Sequence, residues 1–188
     1  VYERQLFPEL LRGEAGPRPD TAGKTLLETD AIRVWTLQQH GLDDVVIATL
    51  KTKMRAISPD AGEGLMEALN IAEADYKGLV IWPGDDPFSV GADLQAMLPG
   101  YVAGGAGLVD SMEKELQEMM LRLCYANVPV VSAIRGMALG GGCELAVYSS
   151  RRVAALESYM GLVEVGVGLV PGAGGLAYLA RRAAENAQ

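Results

Sequence analysis

Short strand-like segments alternate with helical segments along this chain, and that alternation limits its fold more than any other sequence feature. Residues 31–37 and 45–51 are rich in β-branched and aromatic side chains, and the polar segment between them indicates a hairpin. Residues 63–74 then place apolar side chains at a helical period. Two further units follow, each a strand, a loop and a helix. The order ββα, βα, βα predicts an α/β fold whose neighbouring strands are joined by crossover helices.

The later elements are separated by glycine and proline. Strands are predicted at 78–82, 130–134 and 152–156, and helices at 108–125 and 143–148. The first of these helices is rich in Met, Glu and Leu, and its apolar side chains lie on one helical face. This pattern favours core packing over a cofactor role.

The composition excludes several classes of function. The formal net charge of −8 argues against a general nucleic-acid or anionic-membrane surface, since both require an excess of Lys and Arg. No apolar run approaches the ~20 residues that span a bilayer, and no secretory leader opens the sequence. Two cysteines and one histidine do not make a disulfide framework or a zinc site. We therefore expect a soluble, cytoplasmic, metal-free protein.

The first 28 residues differ in character from the rest. A short amphipathic stretch and a Gly/Pro-rich run indicate that residues 1–28 are a linker or lead-in segment, and we assign residues 29–188 to one domain. The chain begins at Val1 rather than at Met, and it stops at Gln188 inside a helical pattern. We therefore expect a fragment of a longer protein.

Three consecutive glycines, Gly140, Gly141 and Gly142, precede a predicted helix. Glycine lets the backbone approach a ligand closely, and the unpaired N–H groups at a helix start favour an anion or a developing oxyanion. A purely structural turn would need only one or two glycines, so a functional role is favoured. Glu144, in the first helical turn, either complements the helix dipole or takes part in chemistry.

Glu164 is the only charged residue in the apolar stretch 160–170. Burying an ionised carboxylate without a partner is costly, so such groups are hydrogen-bonded or keep their proton, as a general acid near neutral pH requires. The alternative is a salt bridge to Arg151, Arg152 or Arg181. The loop at 87–94 is a third candidate, since a second set of backbone N–H groups beside the first would complete an oxyanion hole.

Competing signals are weaker. Residues 172–177 fit the glycine spacing of a dinucleotide turn, but Pro171 stands where the feeding strand should end. Cys143 at a helix start would need a base to act as a nucleophile, and so would the serine of a triad. The only histidine, His40, lies in the distant hairpin. A buried structural cysteine is therefore favoured.

Three segments, at 87–97, 128–146 and 160–175, read PFSVGADLQAM, VPVVSAIRGMALGGGCELA and MGLVEVGVGLVPGAGG. Together they resemble the CoA-binding loop, the glycine turn with its helix, and the second-carboxylate segment of the enoyl-CoA hydratase/isomerase (crotonase) superfamily. The resemblance implies a crotonase-like spiral of ββα units that assembles as a homotrimer or a dimer of trimers. It also implies a C-terminal helical region that is missing here.

The resemblance implies roles for individual residues. The backbone N–H groups of Ala92 and Gly141 would form an oxyanion hole for the thioester carbonyl. Glu144 would activate water for attack on C3, and Glu164 would deliver a proton to C2. The amide of Gly172 would help to hold the reacting water.

The same resemblance implies a CoA-binding set: Lys53, Met54, Val90, Ala92, Asp93, Leu94 and Gly140. The sequence departs from the family at Val163, where proline is usual, and at Gln95, where a lysine commonly contacts a phosphate. Lys51, Lys53 and Arg55 are expected to supply that charge instead. No cofactor is expected, because coenzyme A is carried by the substrate, and no metal, nucleic-acid or membrane partner is expected.

Both glutamates are present, which favours hydration of a 2-enoyl-CoA to a 3-hydroxyacyl-CoA, as in fatty-acid β-oxidation. The N-terminal block and residues 78–93 look most like crotonase domains fused to a 3-hydroxyacyl-CoA dehydrogenase, so we expect that domain in the same chain. An enoyl-CoA isomerase and a non-catalytic acyl-CoA-binding module are the alternatives.

Overall fold

The protein has the predicted mixed α/β architecture in a computed structural model that describes residues 23–38 and 42–186. The strands are β1 Lys24–Glu28, β2 Ile32–Thr36, β3 Val46–Leu50, β4 Leu79–Ile81, β5 Val130–Ile134, β6 Met137–Leu139, β7 Arg151–Ala154 and β8 Tyr159–Gly161. The helices are α1 Pro59–Asp75, α2 Leu94–Cys124, α3 Gly141–Tyr148 and α4 Gly175–Asn186, and two short 3₁₀ helices lie at Lys53–Arg55 and Glu164–Val167.

Six strands form one sheet in the order β1-β2-β3-β4-β5-β7. The predicted hairpin is confirmed, because β2 and β3 pair antiparallel with Ile32 opposite Leu50. From β3 onward the strands are parallel, and Leu79 pairs with both Val46 and Val130. A separate parallel pair, β6 with β8, carries the chain from the sheet to the candidate site.

Strand β1 is an addition to the predicted fold. It pairs antiparallel with β2, so Lys24–Glu28 belong to the sheet although the sequence places them in the 1–28 lead-in segment. Residues 1–22 of that segment, and His40 in the hairpin, lie outside the described residues.

Helix α1 covers the sheet and starts with a well-formed cap. The Ser58 hydroxyl accepts a hydrogen bond from the Ala61 N–H, and Pro59 occupies the first helical position, where it has no N–H to leave unpaired. Its buried side chains recur at helical spacing: Ala61, Leu65, Ala68, Leu69 and Ala72 are all fully buried. This stripe fixes α1 on the sheet.

Helix α2 is longer than the segment predicted at 108–125. It begins at Leu94, and it contains a kink at Gly105, which has a φ of +62°. Met119, Met120 and Leu123 are buried, so the predicted core packing of this helix is confirmed. In the described part of the chain, no helix combines the length and apolar character needed to cross a membrane.

Candidate active site

The glycine turn before α3 packs directly on the loop that precedes α2. Gly140 has a φ of +53°, and Gly141 begins the helix, so its N–H has no carbonyl to pair with in the helix ladder. A Cβ built on Gly142 would lie 2.4 Å from the Ser89 carbonyl oxygen, which is closer than any side chain tolerates. The turn therefore requires glycine for contact as well as for conformation.

Ala92 places a second N–H beside that of Gly141. Its neighbours bond to Ile57: the Gly91 carbonyl accepts from the Ile57 N–H at 2.8 Å, and the Asp93 N–H donates to the Ile57 carbonyl at 3.3 Å. Within the described residues, neither the Ala92 nor the Gly141 N–H donates to another group. An ideal Cβ on Gly141 would lie 3.4 Å from the Ala92 nitrogen. Two unpaired donors thus lie side by side, which is the arrangement of an oxyanion hole.

Glu144 is the most deeply buried charged residue of the site, with 1% of its surface exposed. Helix α3 points it toward α4, where its Oε1 accepts a hydrogen bond from the Gly175 N–H at 2.8 Å. Burial raises the pKa of Glu144, the Gly175 amide opposes that rise, and the charge of Glu164 adds to it. A buried carboxyl of this kind binds a proton more readily than an exposed one.

Glu164 begins a 3₁₀ helix and lies against the glycine turn. A Cβ built on Gly140 would be 3.1 Å from Glu164 Oε1. Its Oε2 is buried and has no hydrogen-bond partner among the described residues. The alternative of a salt bridge is wrong, because Arg151, Arg152 and Arg181 all bind other groups. An unpartnered, buried carboxylate oxygen facing a cavity is available to a ligand.

Glu164 was singled out in the sequence because the apolar stretch around it was expected to be buried. In the structure that stretch is not buried. Val163, Val165 and Val167 are 40%, 77% and 63% exposed. Glu144 is therefore the more deeply buried of the two carboxylates, although its sequence surroundings were the less unusual. The lone charge in an apolar run therefore located the site correctly, but the expectation that the run itself is buried is wrong.

These groups line one cavity of about 170 Å³. Of the predicted site residues, eight form its wall: Val90, Ala92, Leu94, Gly140, Gly141, Glu144, Glu164 and Gly172. Lys53, Met54 and Asp93 do not. The Val90 N–H donates to the Met54 carbonyl at 3.3 Å, so the segment with Lys53 runs beside the site loop. Asp93 instead caps α2, where its carboxylate accepts from the Gln95 N–H at 3.1 Å.

One cavity residue, Glu113 of α2, was missed from the sequence. Burial raises the pKa of its carboxyl, and the charge of Glu164 raises it further. The only available signal is its position between Met112 and Leu116, which also line the cavity. Because the rest of that helix is rich in solvent-facing Glu, nothing in the sequence sets Glu113 apart from its neighbours.

The other predicted chemistries fit the structure poorly. Burial raises the pKa of Cys143, and the nearby Glu144 and Glu164 charges raise it further, so the thiol keeps its proton. The glycines before α4 follow a 3₁₀ helix and a loop instead of a strand, so they do not form a dinucleotide turn.

The expected cationic cluster is smaller than predicted. Lys51 forms an ion pair with Glu28 at 3.0 Å and donates to the Thr29 carbonyl at 2.7 Å. Lys53 is exposed, and the Arg55 Nε is buried without a partner among the described residues. Lys53 and Arg55 therefore remain the candidates for a phosphate contact, and Lys51 does not.

Glu144→Gln is expected to stabilise the protein at high pH. Because the folded pKa of Glu144 is raised, its contribution to stability is complete below the ordinary value of 4.5 and is lost as pH rises through the folded value. Glutamine carries no charge, and its oxygen still accepts the Gly175 N–H. Thermal unfolding should give the wild type and the variant equal Tm values at about pH 4. At about pH 8 the variant should have the higher Tm, by about 2–4 °C for each kcal/mol of unfolding free energy that it regains. Exposed Glu157→Gln should show no such divergence, and a lower Tm for Glu144→Gln at about pH 8 would contradict the expectation.

Comparison with known proteins extends these observations. The family model for enoyl-CoA hydratase/isomerase matches residues 41–187. A probable 3-hydroxyacyl-CoA dehydrogenase of Bacillus subtilis is 42% identical over 133 residues, which are 71% of this chain and 17% of that protein. A fatty acid oxidation complex subunit alpha of Pseudomonas syringae is 39% identical over 110 residues, 58% of this chain and 15% of that protein. The chain thus spans less than a fifth of these relatives.

A solved structure shares the fold. The crystal structure of an enoyl-CoA hydratase from Bacillus anthracis superposes with a TM-score of 0.68 and 29% sequence identity. The match covers 80% of this chain and 57% of that one. The predicted arrangement of strands and helices is therefore confirmed at the level of a known three-dimensional structure.

Proposed function

This chain belongs to the enoyl-CoA hydratase/isomerase family, and from that membership we propose that it adds water to the double bond of 2-enoyl-CoA thioesters. The observation that carries the proposal is the juxtaposition, in one cavity, of the buried Glu144 carboxyl, the partnerless Glu164 oxygen and two unpaired backbone donors. Hydration needs a base, an acid and a site for the enolate charge, and these groups can supply all three.

In the proposed reaction the thioester carbonyl accepts hydrogen bonds from the Ala92 and Gly141 amides. Water adds to C3 as Glu144 takes one of its protons, and the negative charge that develops on the thioester oxygen is stabilised by the two donors. In known enzymes, removing one such donor costs about 3–4 kcal/mol of transition-state stabilisation. Glu164 then gives a proton to C2, which completes the 3-hydroxyacyl-CoA, and the proton that Glu144 took from water passes back to Glu164 to restore the starting state. The Gly172 amide is assigned to the reacting water.

The finer parts of the proposal concern the whole protein. The name of the Bacillus subtilis relative supports a 3-hydroxyacyl-CoA dehydrogenase domain in the same chain, and that of the Pseudomonas syringae relative supports a role in fatty-acid oxidation. We include in the proposal a homotrimer or dimer of trimers, a cytoplasmic location and no cofactor beyond the CoA of the substrate. The domain assigned to residues 29–188 is extended in the proposal by the edge strand β1.

The CoA-binding role assigned to Lys53 predicts a change in KM. Lys53→Met removes a charge that would contact the phosphates in both the ground state and the transition state, so KM should rise about three- to tenfold with kcat little changed. The difference should shrink as salt screens the charge. Lys24→Met, which removes an exposed charge from the sheet edge, is the control. An unchanged KM at low ionic strength would contradict the assignment.

Two substrates test the proposed activity. A hydratase removes the conjugated enoyl-thioester absorbance of a 2-enoyl-CoA, whereas an isomerase acts on a 3-enoyl-CoA and creates that absorbance. The proposal requires turnover of the first substrate. Turnover of the 3-enoyl-CoA alone would identify an isomerase, and binding of both thioesters without turnover would identify an acyl-CoA-binding module.

A further inference from the structure

The third carboxylate of the cavity has no part in the proposed hydration. Glu113 lies on α2 and lines the same cavity as Glu144 and Glu164. Its carboxylate packs on Gly172, since a Cβ built on that glycine would be within 2.4 Å of both Glu113 oxygens. The side chain is half-buried, and no described Lys or Arg forms an ion pair with it. A carboxylate in this position needs a reason, because its charge is partly desolvated without compensation.

A second side chain of α2 fixes the part of the cavity wall where Glu113 packs on Gly172. Gln117, one helical turn after Glu113, donates from Nε2 to the Gly172 carbonyl at 2.6 Å. Residues four apart lie on the same face of a helix, so the two side chains hold Gly172 from one side. The contact between α2 and Gly172 is thus made by two groups, and the Glu113 carboxylate is held at the cavity surface.

The place of Glu113 follows from the order of groups along the cavity. In the proposed reaction the donor pair, Ala92 and Gly141, takes the thioester carbonyl, and the loop at Val90 is assigned to the CoA moiety. C2 and C3 then lie between Glu144 and Glu164. The wall that remains for the rest of the acyl group includes Met112, Glu113 and Leu116 of α2. Among the described residues, Glu113 is the one acidic side chain of that part of the wall, where it lies between a methionine and a leucine side chain.

We propose that Glu113 makes the site selective for short acyl groups, by placing a carboxylate where the alkyl tail of a longer acyl-CoA would have to pack. This inference rests on the proposed function for the orientation of the substrate. Burying a methylene against an apolar wall strengthens binding about fourfold. Against a carboxylate that gain is lost, because the alkyl chain removes water from the charge without replacing its hydrogen bonds.

Binding of two saturated thioesters tests the inference independently of catalysis. Butyryl-CoA and decanoyl-CoA share the CoA moiety and have no double bond to hydrate, so the ratio of their Kd values, measured by calorimetry, isolates the acyl tail. Glu113→Ala is expected to shift the ratio about tenfold or more in favour of decanoyl-CoA, and Glu113→Gln by a smaller factor. Glu118→Ala is the matched control, because Glu118 lies on the same helix, is 66% exposed and does not line the cavity.

The outcomes separate this inference from the proposed function. An unchanged ratio of Kd values in both Glu113 variants overturns the inference. It is also overturned if the wild type binds decanoyl-CoA more tightly than butyryl-CoA by about fourfold for each added methylene. Failure of the wild type to bind either thioester also overturns it. If the ratio shifts as expected but 2-enoyl-CoA is not hydrated, the acyl selectivity stands and the hydratase activity fails.

Discussion

Glu164→Gln is expected to lower kcat for hydration of a 2-enoyl-CoA by about 10²–10⁴-fold, and Glu144→Gln by a similar factor. Glutamine keeps the size and the acceptor oxygen of each side chain and removes its ability to exchange a proton. The two losses should not multiply in the double variant, because an acid and a base that act on one water and one enolate work as a unit. Initial rates with 2-butenoyl-CoA measure all three variants.

Folding and binding controls decide whether the loss is chemical. Glu157→Gln, on an exposed loop, should retain wild-type turnover. Each site variant should keep a cooperative thermal transition, and butyryl-CoA should bind with little change in Kd. Turnover of both Glu144→Gln and Glu164→Gln within a few-fold of wild type would remove these carboxylates from the mechanism.

Gly91→Ala is expected to reduce kcat/KM by about 10²–10³-fold and to lower stability as well. Gly91 has a φ of +90°, which a residue with a Cβ adopts only at a cost of about 1–2 kcal/mol. The added Cβ would lie 2.8 Å from both the Gly141 nitrogen and the Leu139 carbonyl oxygen. Both are backbone atoms that cannot rotate away, so the donor loop must move off the glycine turn and the two N–H groups must separate.

A glycine elsewhere provides the matched control. Gly107 lies in α2, has no positive φ, and a Cβ there would meet nothing within 4 Å. Gly107→Ala should therefore leave kcat/KM unchanged and raise the helix stability by up to about 1 kcal/mol. Thermal unfolding and initial rates compare the two variants directly. If Gly91→Ala keeps wild-type kcat/KM, the close approach of the two loops is irrelevant to activity.

The sequence predicted those parts of the fold that have a clear period or a steric requirement. Strands β2 and β3 are rich in β-branched side chains, β3 alternates buried and half-buried positions, and α1 has a cap and an apolar stripe, so the hairpin and α1 were recognisable. The glycine turn was recognisable because Gly142 meets the Ser89 carbonyl at a distance that excludes a Cβ. Such constraints act within short stretches of chain, and so they leave a local signature.

The parts that were missed depend on contacts between distant segments. Strand β1 is a short edge strand whose residues show no alternation, and it exists because β2 offers a free edge. Strands β6 and β8 have three residues each, too few for a period. Helix α2 continues past Pro99 and Gly105, where local preferences favour a break. Glu113 enters the site only because α2 packs against Gly172, which lies 59 residues later in the chain.

The central claim is that this cavity adds water to C3 of a 2-enoyl-CoA, and isotope incorporation tests it most directly. The protein is incubated with 2-butenoyl-CoA in water enriched in heavy oxygen, and the product is analysed by mass spectrometry. The account predicts 3-hydroxybutyryl-CoA with one heavy oxygen on C3, formed by the wild type and strongly reduced for Glu164→Gln. Recovery of the unchanged thioester, or of a double-bond isomer without heavy oxygen, would contradict it.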